Sequence, residues 1–152
     1  MRKYFFRILT LVWMIVIFSF SAKTADASSQ DSLFIGETIG RLVIADFEDW
    51  DAKKKENFAK SIEYPIRKGA HMTEYAVLGI LVFFSWNFLK YGIKRTALYS
   101  WMITVLYAAS DEVHQLFVPG RSGQVTDVLI DSVGAAIGVG LAYILWRKRV
   151  EL

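Results

Sequence analysis

At 152 residues the chain is about one domain, and 54% of it is hydrophobic, gathered in long runs that point to a membrane protein and away from an ordinary soluble fold. It has no cysteine, which excludes disulfides, thiolate metal sites and a cysteine nucleophile. The net charge of +3 is small, and the basic residues sit at segment ends instead of on one face, so no nucleic-acid partner is expected.

Two readings fit the N-terminus. A basic start, an apolar core over 8–20 and the Ala25-Asp26-Ala27 run resemble a cleavable signal peptide. Residues 4–22 are also long enough to span a bilayer as a retained helix, with Arg7 snorkelling towards the head groups. The span count adopted here retains it, leaning partly on a family resemblance given below.

Residues 23–69 are polar and mixed in sign. Phe34, Ile35, Ile39, Leu42 and Val43 recur at helical spacing, as do Phe58, Ile62 and Ile66, with Pro65 near the end. Two short amphipathic helices on the membrane surface are predicted, joined by a solvated turn around 46–55. Nothing in this stretch looks catalytic. Further spans are predicted over 70–89, 97–117 and 126–146, which gives an all-α fold: a single membrane domain over 1–152 built as a four-helix bundle, with interfacial helices in its first extracytoplasmic loop.

Basic residues set the orientation. Arg2 and Lys3 precede the first span, Lys90, Lys94 and Arg95 fill the short second link, and Arg147, Lys148 and Arg149 follow the last. Both termini are therefore expected in the cytoplasm of a multi-pass cell-membrane protein, with residues 23–69 and the Pro119-Gly120 turn outside. Trp86, Trp101 and Trp146 then fall near the inner interface.

Under this orientation the ionisable residues converge. Lys68, His71, Glu74 and Tyr75 open the second span at steps of three and four, on one helix face. Asp111, Glu112 and Gln115 close the third span, and Asp127 and Asp131 open the fourth at i, i+4. Each charge within a span costs roughly 2.5–3.5 kcal/mol on insertion scales unless paired or wet, which makes a functional site the default reading. Gly134 and Gly138 continue the acidic stripe and should let the fourth span pack closely, which marks it as the expected central helix. Arg121, reaching back from a tight turn, is the expected counter-charge for Asp127 or Glu112. His114 points away from this face and reads as an interface histidine.

The stretches RKGAHMTEYAVLGIL and SDEVHQLFVPGRSGQVTDVLIDSVGAAIG resemble the VanZ-like family of small bacterial membrane proteins, most densely over 64–141. The resemblance implies a multi-pass envelope protein that influences glycopeptide (teicoplanin-type) binding at the cell surface; it implies no mechanism.

Three functions suit the residues. A binding protein would capture a surface or lipid-linked cell-wall component, or a glycopeptide, with Lys68, Tyr75, Gln115, Arg121 and Asp127 as ligand-binding residues among membrane lipids. A hydrolase or transferase acting on an outer-leaflet head group would draw its acid and base from His71, Glu74, Asp111, Glu112 and Asp131, with Arg121 and Lys68 clamping phosphate. A metal variant would use His71 and Glu74 with Asp111 and Asp131, a common pattern that fixes no cofactor. Against all three stands an ion-pair network that only holds helices together.

Overall fold

The computed structural model describes the backbone of residues 2–85 and 92–150 and the side chains of 4–85 and 92–148. A mostly apolar stretch makes α1 (Arg2–Ser21), whose Phe5, Ile8, Leu11 and Ile15 are exposed and whose Thr10, Ile17 and Ser21 are buried. Thr24 then caps α2 (Ala25–Val43), its hydroxyl accepting from Ala27 N at 3.3 Å and satisfying one of the helix's orphan donors. A 3-10 turn (Phe47–Asp49) leads to α3 (Ala52–Ser85), followed by α4 (Ile93–Gln115) and α5 (Val125–Val150). All regular structure among the described residues is helical.

Side-chain contacts fix the directions. α1 and α3 run antiparallel, with Arg7 Nε donating to Ser85 O at 3.2 Å and Trp13 Nε1 to Glu74 O at 2.9 Å. α1 and α4 run parallel, with Tyr107 Oη on Met14 O at 2.8 Å and Ser21 Oγ 3.3 Å from His114 Nδ1. Arg7 thus meets a carbonyl near the end of the described part of α3, where a cation suits the helix dipole, instead of only snorkelling outward.

The structure corrects two expectations. The second surface helix and the second span are one helix of 34 residues running straight through Pro65. Proline inside a helix costs about 3 kcal/mol, but Pro65 and Ser61 both lie on the exposed side, so the carbonyl left without its donor reaches the surface. Packing against α2 on one stretch and α1, α4 and α5 on the next holds the helix together. For the same reason α3, and not α5, is the central element: it touches every other long helix.

Close packing depends on small residues. In α2 it is Ser32, Gly36 and Gly40 that are buried, and a Cβ on Gly36 would come within 3.0 Å of Ala59 Cα on α3. Phe34, Leu42 and Val43 stay exposed on the other side. Between α3 and α5, a Cβ on Gly134 or Gly138 would overlap the backbone carbonyls of Met72 and Ala76, and one on Gly79 would sit 2.9 Å from Ala135 O. α4 presents Thr96, Ser100, Thr104 and Ala108, all fully buried, at every fourth position. One apolar cluster joins Ile17, Tyr75, Leu78, Val82 and Ala108; a second joins Phe83, Val139 and Ala142.

Two helices are long and apolar enough to cross a membrane by length and composition, α1 over Tyr4–Ser21 and α5 over Val125–Lys148. The other expected spans fall on α3 and α4. Trp86 and Lys90 lie outside the described residues, while Trp101 donates to Ser132 O on α5 at 3.0 Å and the Trp146 ring lies 6.3 Å from that of Phe84.

The α3–α5 contact yields a sharp contrast. Gly134→Ala or Gly138→Ala should destabilise the protein by about 1–3 kcal/mol, since the obstacle is backbone and cannot rotate away. Gly140→Ala, which would meet nothing within 4 Å, should be neutral or stabilising by up to about 1 kcal/mol. Unfolding titrations in detergent measure both; equal effects at the three positions would refute this packing.

Candidate functional site

The α3–α5 contact brings His71 beside Asp131. His71 Nδ1 lies 3.9 Å from Asp131 Oδ1, and neither atom, nor Asp131 Oδ2, has a hydrogen-bond partner. Asp131 is wholly buried, as is Tyr75 one turn further along α3, whose hydroxyl is likewise unpartnered. A buried polar atom without a partner costs about 1–3 kcal/mol, more for a charged group, so three such groups in one place require an explanation.

α4 supplies the next set. Gln115 Nε2 donates to Asp111 Oδ2 at 3.3 Å and to Glu112 Oε1 at 3.1 Å, while Glu112 Oε2 accepts from Gln124 N at 2.9 Å. All three α4 side chains are buried. One ligand atom each from His71, Glu112 and Asp131 lie within 4.8 Å of one another.

Counter-charges are arranged differently from the sequence expectation. Lys68 and Asp127 form the ion pair at the mouth, both nearly buried. Arg121 bonds to no carboxylate among the described residues: its Nε donates to Lys23 O and its Nη2 to Phe20 O, each at 3.2 Å. It reaches them because Val118 to Arg121 form a tight turn, closed by Arg121 N to Val118 O at 3.1 Å, with Pro119 at the second position and Gly120 at φ +75° at the third. Lying just past the end of α1, the guanidinium adds a second donor to Phe20 O, which already accepts from Lys23 N at 3.2 Å, and gives Lys23 O a donor. Burial first, and then the like charge of Arg67, lower its pKa from the ordinary arginine value.

Two neighbouring cavities open around these groups. The larger, about 170 Å³, lies between α1, α2 and α3 and is lined by Glu74, Asp111, His71, Arg67 and Arg121 together with Lys23, Ser28, Asp31 and Ser32. The smaller, about 50 Å³, is lined by Arg67, Lys68, His71, Gln115, Arg121, Gln124 and Asp127. His71, Arg67 and Arg121 border both. The sequence candidates therefore meet in one region but divide between two cavities, with Glu112, Asp131 and Tyr75 behind His71. His114 stays apart, its ring 4.4 Å from that of Phe18.

Sequence reasoning missed α2's share. Ser28, Asp31 and Ser32 lie at steps of three and four, so a helical wheel would have put them on one face; the apolar stripe, of which Ile35 also lines the larger cavity, drew attention away from them. The pair at the mouth is open to test. Lys68→Met should destabilise by about 3–5 kcal/mol by leaving Asp127 buried and unpaired, and adding Asp127→Leu should recover most of that loss. A double-mutant cycle with no coupling would show that the pair does not form.

A family model described as VanZ/LLP1 matches residues 6–146, and the chain belongs to that family. No curated protein and no solved structure matches it. Family membership and the two candidate spanning helices together point to a membrane location.

Proposed function

We propose that this VanZ/LLP1 family member is a cell-envelope protein whose polar cavities face the outside of the membrane and hold the head group of a surface or lipid-linked component. Binding or modifying that component would contribute to glycopeptide resistance of the teicoplanin type. The membrane arrangement that suits this is four spans on α1, α3, α4 and α5, both termini in the cytoplasm, and α2 lying at the outer surface with Phe34, Leu42 and Val43 against lipid.

The observation that carries the reading is the cationic border shared by the two cavities. Arg67 and Arg121 stand close enough for their like charges to oppose each other, and Lys23 and Lys68 flank them. A phosphate between them would relieve that repulsion and accept charge-assisted bonds. In the larger cavity Glu74 and Asp111 offer acceptors to hydroxyl or amino groups, while Asp31 is paired with Lys23 Nζ at 2.5 Å. A phosphate joined to a sugar or an amino alcohol presents both kinds of group. A set of ion pairs serving only to hold helices together would have been expected to partner Asp131, which has no hydrogen bond.

Purified protein incubated with bacterial lipid extract and followed by mass spectrometry tests the proposal. A phosphate-bearing lipid should be retained, and Arg67→Gln should weaken retention about 10- to 100-fold, as expected for a lost charge-assisted bond. Conversion of that lipid, abolished by His71→Ala or Asp111→Asn in folded protein, would make the protein an enzyme; retention without conversion would make it a binder. If no lipid or glycopeptide is retained the proposal fails. For topology, reporter fusions after Arg95 and at the C-terminus should score as cytoplasmic and one in 46–51 as external; the reverse pattern would turn the cavities inward.

A further inference from the structure

The trio of His71, Glu112 and Asp131 does more than border a head-group pocket. It brings one imidazole nitrogen and two carboxylates, from three different helices, within 4.8 Å of one another. Only one of the three is satisfied: Glu112 accepts from Gln124 N at 2.9 Å and from Gln115 Nε2 at 3.1 Å. Asp131, with none of its surface exposed, leaves both oxygens empty, and the His71 Nδ1 facing it has no partner either.

Direct pairing does not resolve this. At 3.9 Å the His71–Asp131 separation is too long for a hydrogen bond, although helices packed backbone to backbone through Gly134 leave the side chains no obstacle of scaffold mobility to blame. Lys68, the nearest lysine on α3, is engaged with Asp127, and Arg121 with backbone carbonyls. No protein cation among the described residues thus reaches Asp131 except a protonated His71.

We propose that His71 Nδ1, Glu112 and Asp131 form a binding site for one divalent transition-metal ion. Ligands at about 2.1 Å from a tetrahedral ion lie about 3.4 Å apart, so small side-chain rotations close the present separations onto a metal. One nitrogen and two carboxylates without thiolate suit zinc or manganese and disfavour copper(I). The hydrogen bonds from Gln115 and the Gln124 amide hold Glu112 in place, as outer partners do for metal-bound carboxylates, and each carboxylate oxygen keeps a lone pair for the ion. Three protein ligands leave at least one coordination position open. Of the three, His71 borders both cavities and Glu112 and Asp131 line neither, so His71 is where the trio meets the space around it. The site does not depend on the head-group reading: a metal can be held whether or not a lipid is.

The test uses the full chain in detergent, stripped with chelator, incubated separately with zinc or manganese chloride in excess magnesium, desalted and examined by elemental analysis and native mass spectrometry. A single zinc or manganese ion per chain is expected, with a rise in Tm that chelator reverses. Asp131→Asn, nearly isosteric, should weaken retention by more than the 10- to 100-fold typical of outer-partner losses. Glu74→Gln, which alters the larger cavity but not the trio, should retain the ion. Circular dichroism and elution volume report folding; if Asp131→Asn does not fold, Glu112→Gln and His71→Asn give the same readout. Retention by wild type no greater than by Asp131→Asn, or equal loss in Glu74→Gln, overturns the site.

Discussion

The structure depends on how closely α3 and α5 approach. Gly134 and Gly138 face the carbonyls of Met72 and Ala76 with no room for a Cβ, and Gly79 faces Ala135 from the other side. In lipid, where water exclusion gives helices little reason to associate, such contact supplies the van der Waals attraction that does. It also fixes register. With Gly134 against Met72, Asp131, three residues before the glycine, comes beside His71, and one turn earlier Asp127 meets Lys68. Packing and site are one constraint.

That constraint explains why so many ionisable groups are tolerated. Several are met in place: Lys68 on α3 by Asp127 on α5, Asp111 and Glu112 by Gln115 within α4, and Arg121 by carbonyls at the end of α1; Asp131 is left without a hydrogen bond. Arg121 illustrates how a charge can serve two purposes. Its Nε and Nη2 fasten the Pro119-Gly120 turn to the α1–α2 junction, while the remaining part of the guanidinium borders both cavities. Replacing it would therefore disturb the turn and the cavity together, which is why Arg67, on a continuous helix and half-exposed, is the cleaner probe of anion binding.

Much of this was legible in the chain. The all-helical fold, the two helices apolar enough to cross a membrane and the polar faces of 68–75, 111–115 and 127–131 follow from apolar runs and from three- and four-residue spacing. Three things were not. Pro65 read as a helix end, because the cost of interior proline is local and visible whereas the packing that offsets it is distant and is not. The stripe of Ser32, Gly36 and Gly40 carries no hydrophobic signal, so α2 was oriented by its apolar face alone. The partner of Arg121 was also misjudged: opposite charges attract attention in a sequence, but the carbonyls of Phe20 and Lys23 are acceptors that every chain possesses and no pattern marks.

The role of α2 follows from what holds it. Its small-residue face rests on α3 at Ala59, Ser29 donates to Glu63 at 2.7 Å, and Ala25 N donates to Pro119 O at 3.3 Å. Between these attachments Ser28, Asp31 and Ser32 wall the larger cavity opposite Glu74 and Asp111. α2 thus forms one wall of this cavity through its polar side while its apolar residues Phe34, Leu42 and Val43 are turned outward, and the facing His71 stands on α3, which is held to α5 by backbone contact at Gly134 and Gly138.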